Sequence, residues 1–429
     1  MFSLNSKFTR NVLTLVTGTG LAQAIPLALS PILTRLYTPA DFGILAIYMS
    51  IATLGSAVVS LKYDLAIIIP EKDEDSANVT VLSIVIAFMI STMILLIIWL
   101  FGNQIAEFLV DNDEDSQVLS KWLYFIPLSV LSMGIFNAIS FWFNRKLFYS
   151  RMATSKVLNT SGMTGVQIGM GTLNFGPVGL LIGFVSGRLL SVFYLFIKFN
   201  QKRDPAFVQV SKEKMKTLSN RYKRFPYFTL PAEFTNVISN QLPVFLIGKY
   251  FGGGILGNYS LMERVLSAPI SLLGKSVLDV FKQRASEDFA RTGNCRHIFV
   301  KTCKTLMFLS IVPTILLFFL SPYFFGVIFG NEWRIAGEFA QIFSILFFFK
   351  FTASPLSYMF HIAEKQDYDM FWQIGLLIFA VISFVIGITF DSIKTALICF
   401  VVSYSAMYII NLYLSYSFSK GNLKDLNKK

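Results

Sequence analysis

The sequence is poor in charged residues and in the side chains that bind metals or form disulfides. Charged residues make up only 14% of its 429 residues, whereas a soluble globular domain carries about 25%. There are two histidines and three cysteines, and Cys295, Cys303 and Cys399 form no CxxC pair. These deficits exclude a zinc cluster, a disulfide-stabilised secreted domain and an ordinary soluble enzyme. We therefore predict neither a metal site nor a cofactor.

Long apolar runs take the place of the missing charge. Hydrophobic residues make up 54% of the chain, and phenylalanine alone occurs 44 times. A helix needs about 20 mostly apolar residues to cross the hydrocarbon layer of a membrane. Segments of roughly that length lie at 12–34, 42–61, 79–100, 122–143, 157–175, 178–196, 228–247, 256–280, 305–330, 339–360, 370–390 and 395–418.

Lysine and arginine are distributed unequally between the predicted loops. With the N-terminus placed in the cytoplasm, 28 of the 37 fall in cytoplasmic segments, five in outside loops and four within spans. Because cytoplasmic loops of membrane proteins carry an excess of Lys and Arg, both termini are predicted to be cytoplasmic. The net charge of +12 then reflects topology and attraction to anionic membrane lipids, and no nucleic-acid partner is predicted.

The predicted fold is an all-α polytopic membrane protein with about 12 transmembrane helices in two six-helix bundles around a central cavity. The predicted domains are an N-terminal bundle at 1–200, a basic cytoplasmic linker at 201–227, and a C-terminal bundle at 228–429 with a short cytoplasmic tail. An offset of 214 residues relates Gly43 to Gly257, at the start of the second span of each half. This offset, although a weak signal by itself, favours two similar bundles. Two-bundle transporters bind their substrate between the halves.

Polar stripes interrupt several spans. A charge at the centre of a bilayer costs at least about 2.5–3.5 kcal/mol, so it is expected to face a cavity or a partner. Three stripes follow helical spacing, namely Arg264, Ser267 and Ser271; Lys350, Ser354 and Tyr358; and Glu233, Asn236 and Asn240. They predict a wet, net-positive cavity that favours an anionic substrate, because guanidinium binds phosphate oxygens through two parallel donors.

The same residues also have structural interpretations. Serine and asparagine stripes often serve as interhelical hydrogen bonds, worth about 0.6 kcal/mol per contact. Arg188 in span 6 could anchor a neighbouring helix through a backbone carbonyl or Glu233. Glu233 could bind a coupling H⁺ or Na⁺, or it could be the structural partner of Arg188 or of a basic residue in span 8.

Three stretches of the sequence resemble one family. PILTRLYTPADFGILAIYMS and then LKYDLAIIIPEKDEDSANV resemble bacterial polysaccharide flippases of the multidrug/oligosaccharidyl-lipid/polysaccharide exporter superfamily, and GNYSLMERVLSAPISLLGKSVLDVFKQRAS is similar to the second-half motif. The resemblance implies a V-shaped cavity between two bundles in the bacterial plasma (inner) membrane. It also implies flipping of undecaprenyl-pyrophosphate-linked oligosaccharide repeat units for O-antigen, capsule or exopolysaccharide. Arg264 and Arg35 match basic positions of the family, whereas its first-half cavity charges have no clear match.

The resulting hypothesis is a flippase, not an enzyme. Arg264 is expected to bind the pyrophosphate, with Lys350, Arg188 and Arg35 as further basic residues. The expected partners are the lipid-linked oligosaccharide, membrane lipids, a coupling H⁺ or Na⁺, and polysaccharide polymerase machinery. One alternative is a cation-coupled drug or toxin antiporter of the same superfamily, whose cationic substrates would favour buried carboxylates. Another is a membrane polysaccharide polymerase, which would need a large outside loop that this sequence lacks.

Overall fold

The computed structural model describes residues 7–110, 112–201 and 204–421, with the backbone alone at 7–16, 113, 114, 272, 275 and 276. These residues form fifteen α-helices, joined by short turns, and no β-strand. The all-α class is therefore confirmed. The chain divides into two compact units, Met1–Gly257 and Asn258–Lys429. The two chain ends, predicted to be cytoplasmic, lie outside the described residues.

The helices of the first unit run in sequence from the N-terminus. They are α1 (Lys7–Leu36), α2 (Pro39–Val58), α3 (Asp73–Leu109), α4 (Asp113–Leu123), α5 (Ile126–Arg145), α6 (Tyr149–Thr172), α7 (Pro177–Asn200), α8 (Lys212–Arg221) and α9 (Leu230–Tyr250).

One helix, α10 (Gly253–Thr292), begins in the first unit and continues into the second. The remaining helices are α11 (Arg296–Phe329), α12 (Arg334–Leu356), α13 (Met359–Ile362), α14 (Gln366–Thr389) and α15 (Ile393–Ser419).

Twelve helices in the described part of the chain have 20 residues or more, and they follow the order of the twelve predicted segments. Among the described residues, eight segments are long and apolar enough to cross a membrane by themselves. The other four long helices, α1, α6, α9 and α10, are richer in polar and small residues. The chain is a multi-pass membrane protein, and the count of twelve spans remains a prediction.

Three helices are much longer than the apolar segments they contain. α10 has 40 residues, α3 has 37 and α11 has 34. At 1.5 Å per residue, a helix of 40 residues is about 60 Å long, twice the thickness of the hydrocarbon layer. The first turn of α3 contains Asp73, Glu74 and Asp75, whose charges complement the positive end of the helix dipole. These helices therefore continue beyond the membrane core.

Glycines allow α6 and α7 of the first unit to pack closely. A Cβ on Gly183 would meet the Gln167 side chain, and a Cβ on Gly187 would meet the carbonyl oxygen of Asn159. Small residues are favoured at helix contacts in membranes, where dispersion and hydrogen bonds replace the hydrophobic effect. The Tyr37 hydroxyl adds a buried hydrogen bond by donating to the Gln167 carbonyl at 2.6 Å.

The basic linker packs against helices of the first unit, to which it belongs. Leu218 and Tyr222 at the end of α8 are buried in one apolar cluster with Trp142, Phe143 and Ala206. The backbone N–H of Ser211 donates to Asn78 Oδ1 on α3 at 3.0 Å. The linker is thus folded onto the ends of α3 and α5, a feature that its charge pattern does not indicate.

The second unit is built around two helix pairs, α11 with α12 and α14 with α15, which meet through α12 and α15. Gly337 on α12 packs against the backbone of Ser321, and the Ser321 hydroxyl donates to the Gly337 carbonyl at 2.8 Å. Gly387 likewise contacts Ala396 between α14 and α15. Both helix pairs therefore depend on positions where a side chain would not fit.

The two glycines related by the 214-residue offset lie at a reciprocal contact. A Cβ on Gly43 would meet the carbonyl oxygen of Gly253, and a Cβ on Gly257 would meet that of Pro39. The first turns of α2 and α10 therefore touch backbone to backbone. α2 begins at a capping box, in which the Thr38 hydroxyl accepts from the Asp41 N–H and the Asp41 carboxylate accepts from the Thr38 N–H.

We expect Gly257→Ala to destabilise the protein by about 1–3 kcal/mol, because the added methyl group cannot fit against Pro39. Gly254→Ala is a matched control in the same turn of helix, since its methyl group would meet no atom within 4 Å. The measurement is the thermal unfolding midpoint of the detergent-purified chain. Equal midpoints for the two variants would contradict the backbone contact.

Candidate functional site

Glu233 lies in the first turn of α9, and it forms an ion pair within the first unit. Its Oε1 is 2.6 Å from Nζ of Lys62, which follows α2. The Lys62 side chain is 10% exposed and that of Glu233 45% exposed, so the lysine is the more buried partner. The partner of Glu233 is thus Lys62, rather than Arg188 or a basic residue of span 8.

Lys62 occupies an unusual backbone conformation. Its φ of 62° and ψ of 13° lie in the left-handed region, and the preceding Leu61 also has a positive φ of 47°. This region is unfavourable for residues with a Cβ. The strained turn directs the buried Lys62 ammonium to the start of α9. The backbone conformation of Lys62 and its ion pair with Glu233 therefore both hold this turn against α9.

A second carboxylate lies in the same turn. The Ser60 hydroxyl donates to Asp64 Oδ1 at 2.7 Å, and both residues are buried. Burial raises the pKa of Asp64, while the Ser60 hydrogen bond and the Lys62 charge oppose that rise. Sequence reasoning missed this group, because Lys62 and Asp64 read as loop residues and no periodic pattern marks them.

The predicted polar stripe on α9 exists as one helix face. Asn240 Nδ2 donates to the carbonyl oxygen of Asn236 at 2.9 Å, and its distance to Asn236 Oδ1 is 3.1 Å. Both side chains are exposed on the first unit. The neighbouring Gln241 accepts a hydrogen bond from Ser50 on α2 at 2.7 Å. α9 therefore combines an outward polar face with a polar attachment to α2.

The two basic residues predicted in the first half lie apart from this pair. Arg35 is exposed in the last turn of α1. Arg188 is half-buried on α7, where its guanidinium carbon lies 5.6 Å from the centre of the Phe184 ring. This cation–π contact stabilises a guanidinium in an apolar setting. The structure does not bring Arg188 to Glu233.

The second unit contains the stripe that begins at Arg264 on α10. The Ser267 hydroxyl donates to the Arg264 carbonyl at 3.3 Å, and the Ser271 hydroxyl donates to the Ala268 carbonyl at 3.0 Å. Arg264 itself is half-buried. Because these hydroxyl protons bond to the helix backbone, the guanidinium is the principal hydrogen-bond donor of the stripe.

The stripe of α12 begins at Lys350, which is half-buried. Its charge interacts with that of Glu263 on α10, a partner that sequence spacing did not reveal. Ser354 is exposed, and Tyr358 lies at the end of α12 beneath a further cation, Lys282, whose Nζ is 4.7 Å from the ring centre. Lys350 and Arg264 thus lie on different helices of the second unit, α12 and α10.

The predicted site residues are divided between the two units. Arg35, Arg188, Glu233, Asn236 and Asn240 belong to the first, and the remaining predicted residues belong to the second. In the part of the chain that the structure describes, no three His, Cys, Asp or Glu residues are grouped so that they could hold a metal ion.

Comparisons with known proteins identify relatives. A family model described as "Polysaccharide biosynthesis protein" matches residues 32–338. The succinoglycan biosynthesis transport protein ExoT of Rhizobium meliloti (strain 1021) is 26% identical over 319 residues, covering 71% of this chain and 59% of ExoT. The teichuronic acid biosynthesis protein TuaB of Bacillus subtilis (strain 168) is 21% identical over 252 residues, covering 56% of this chain and 51% of TuaB. The chain thus spans just over half the length of these curated relatives.

Solved structures share the fold over nearly the whole chain. The lipid II flippase MurJ in an inward closed conformation matches with a TM-score of 0.77 and 14% identity, covering 97% of this chain and 89% of MurJ. An inward-facing multidrug resistance MATE family transporter of the MOP superfamily matches with a TM-score of 0.63 and 13% identity, covering 97% of this chain and 96% of the transporter. At such low identities the likeness establishes the fold alone. The predicted resemblance to polysaccharide biosynthesis proteins is confirmed by the family model.

The Lys62–Glu233 pair yields a stability prediction. Lys62→Ala removes the ion pair and keeps a Cβ in the left-handed region, whereas Lys62→Gly removes the pair and relieves that strain. We expect the glycine variant to be more stable than the alanine variant by about 1 kcal/mol. Glu233→Gln should cost stability in the wild-type chain and much less in the Lys62→Ala background. Thermal unfolding of the wild type, the three single variants and the Lys62→Ala/Glu233→Gln double variant measures both effects, and additive losses would show that the pair contributes nothing.

Proposed function

The chain belongs to the family of polysaccharide biosynthesis proteins, and on that premise we propose that it is a flippase for lipid-linked oligosaccharides. Its cargo would be an undecaprenyl-pyrophosphate-linked repeat unit, moved across the bacterial inner membrane to supply O-antigen, capsule or exopolysaccharide. The observation that carries this proposal is the family match over residues 32–338, joined to a fold shared with the lipid II flippase MurJ over 97% of the chain. The names of ExoT and TuaB, which refer to succinoglycan transport and teichuronic acid biosynthesis, support the same class of cargo.

In this proposal, Arg264 binds the pyrophosphate. A guanidinium can donate two parallel hydrogen bonds to phosphate oxygens, and such charge-assisted bonds are about twice as strong as neutral ones. Lys350 contributes less, because an ammonium binds phosphate as a point charge and lacks the two parallel donors of a guanidinium. Arg188 and Arg35 would add positive potential from the first unit.

The proposed bundles at 1–200 and 228–429 would each present polar side chains to the glycan. Its hydroxyl groups would meet the polar residues Asn236, Asn240, Ser267, Ser271, Ser354 and Tyr358, while the prenyl chain stays in lipid. No covalent chemistry is involved, so the protein would not be an enzyme. Transfer of the repeat unit to polysaccharide polymerase machinery would follow on the outer face.

A drug or toxin antiporter is the principal alternative, because the MATE transporter shares the fold. The family match and the two curated relatives favour polysaccharide cargo. A membrane polymerase is less well supported, because the relative ExoT is named a transport protein.

Glu233 is the proposed coupling residue. Uptake of H⁺ by its carboxylate, or binding of Na⁺, would weaken the attraction to Lys62 and so release the first turn of α9. The Glu233 carboxylate is half-exposed, so H⁺ or Na⁺ can reach it from solvent. A fully buried carboxylate would be less accessible to either ion.

Topology gives one test. If the loop 197–227 and both termini are cytoplasmic, an alkaline phosphatase fusion after Lys216 should be inactive and one near Asp113 should be active. Both fusions must be present at similar abundance. The reverse pattern would contradict the proposed orientation.

Arg264 gives a test of cargo binding. We expect Arg264→Ala to abolish translocation of lipid-linked oligosaccharide at normal membrane abundance, and Arg264→Lys to retain part of it, because the charge remains while the two-donor geometry is lost. Lys350→Ala should be milder. A well-expressed Arg264→Ala variant with full translocation would remove the proposed role, and low abundance of that variant would indicate a structural role.

Coupling is tested with Glu233→Gln, which preserves shape and removes the charge. The variant should lose the dependence of translocation on pH or on sodium, whichever the wild-type chain shows. An unchanged dependence would exclude Glu233 as the coupling residue. Arg188→Gln is a useful comparison, because that residue is not part of the Lys62–Glu233 pair.

A further inference from the structure

A cavity of about 330 Å³ lies in the first unit, at the ends of α5 and α7 and the start of α6. None of the residues that line it is among the predicted substrate-binding or coupling residues. Its walls combine aromatic rings with two cations, Arg151 and Lys198, and the rings are Trp142, Phe143, Phe148, Phe199 and Phe207. This volume falls within the range of small-molecule sites.

The aromatic walls are held by edge-to-face ring contacts. The Phe207 ring is 4.8 Å from Trp142 and 4.8 Å from Phe199, measured between centroids, and both contacts are T-shaped. Phe143 and Phe148 form a third such pair at 5.7 Å. Trp142 and Phe143 are buried, so this part of the cavity is a fixed surface rather than a set of mobile side chains.

The two cations are oriented by the same elements. The Arg151 guanidinium lies 4.8 Å from the Phe148 ring centre, and its Nη1 donates to the Lys198 carbonyl at 2.9 Å. Lys198 Nζ donates to Gln201 Oε1 at 3.1 Å. In the described ranges, neither cation takes part in an ion pair.

One carboxylate also lines the cavity. Asp204 Oδ2 lies 2.9 Å from Lys146 Nζ, and Asp204 Oδ1 accepts a hydrogen bond from the Ala206 N–H at 3.1 Å. Its charge is therefore already matched by a lysine, and the two remaining cations give the cavity a positive balance.

An apolar stripe on α7 leads to this cavity. Large apolar side chains recur at helical spacing on its exposed face, namely Leu189, Leu190, Phe193, Phe196 and Ile197. α7 is long and apolar enough to cross a membrane, so this exposed apolar face is suited to contact with lipid chains. Asn200, which lines the cavity, lies three residues beyond Ile197 and four beyond Phe196, and so on the same face of α7. A hydrocarbon chain on the stripe would place its headgroup in the cavity.

We propose that this cavity binds the phosphodiester headgroup of an anionic glycerophospholipid, with its acyl chains along α7. Arg151 and Lys198 would bind the phosphate oxygens, and the aromatic rings would contact the glycerol backbone. Basic pockets between transmembrane helices on the cytoplasmic side are suited to anionic headgroups. The site is independent of the transported cargo, so its test does not depend on the proposed flippase activity.

The test is native mass spectrometry of the full-length, detergent-purified chain with added phosphatidylglycerol or phosphatidylcholine. The wild-type chain should retain phosphatidylglycerol in preference to phosphatidylcholine. Lys198→Gln should weaken that binding about fivefold, as expected for one cation near an anionic headgroup. Lys216→Gln removes the same charge from exposed α8, outside the cavity, and should leave the binding within about twofold of wild type.

Variants of Arg151 provide a second test of the same binding. Arg151→Gln should weaken binding at least as much as Lys198→Gln, and Arg151→Lys should restore part of it. If Arg151→Gln does not fold, as judged by its unfolding midpoint, Lys198→Gln and Arg151→Lys decide the question. Wild-type binding in Lys198→Gln, an equal loss in Lys216→Gln, or equal retention of the neutral lipid would overturn the proposal. Displacement of phosphatidylglycerol by inorganic phosphate would also overturn it, because the ligand would then be a free phosphate.

Discussion

The cost of placing charge in hydrocarbon governs the whole molecule. Because each charge at the bilayer centre costs at least about 2.5–3.5 kcal/mol, the chain keeps its charges at the helix ends and in the turns. Two basic residues within the spans show how such a charge is accommodated. Arg188 lies over an aromatic ring, and Lys350 interacts with Glu263. Arg264 lies on a helix face that also carries Ser267 and Ser271.

The same constraint explains how much of the fold the sequence predicts. Twelve apolar segments correspond in order to twelve long helices, because both the hydrocarbon thickness and the helical rise are fixed. The positions of the helix ends are not set by the membrane thickness, because polar residues can continue a helix beyond the membrane into water. The 40 residues of α10 therefore exceed the predicted span. The docking of α8 depends on burial of Leu218 and Tyr222, which a charge count does not reveal.

In the candidate site, helical periodicity of the sequence predicts contacts within one helix but not contacts between distant segments. Helical spacing correctly places Asn236 with Asn240, because that relation is local. The partner of Glu233 could not be found in this way. Lys62 is 171 residues away in sequence, in a turn whose left-handed backbone has no pattern in the sequence. Long-range partners such as this one require the folded chain.

The central claim is that this family member moves a pyrophosphate-linked oligosaccharide between membrane leaflets. The most direct measurement reconstitutes the purified chain in liposomes with an undecaprenyl-pyrophosphate oligosaccharide whose sugar is accessible to an enzyme added outside. Modification should proceed beyond the fraction initially in the outer leaflet in the presence of the chain, and stop at that fraction in protein-free liposomes. Equal modification in both preparations, with the chain folded and inserted, would contradict the account.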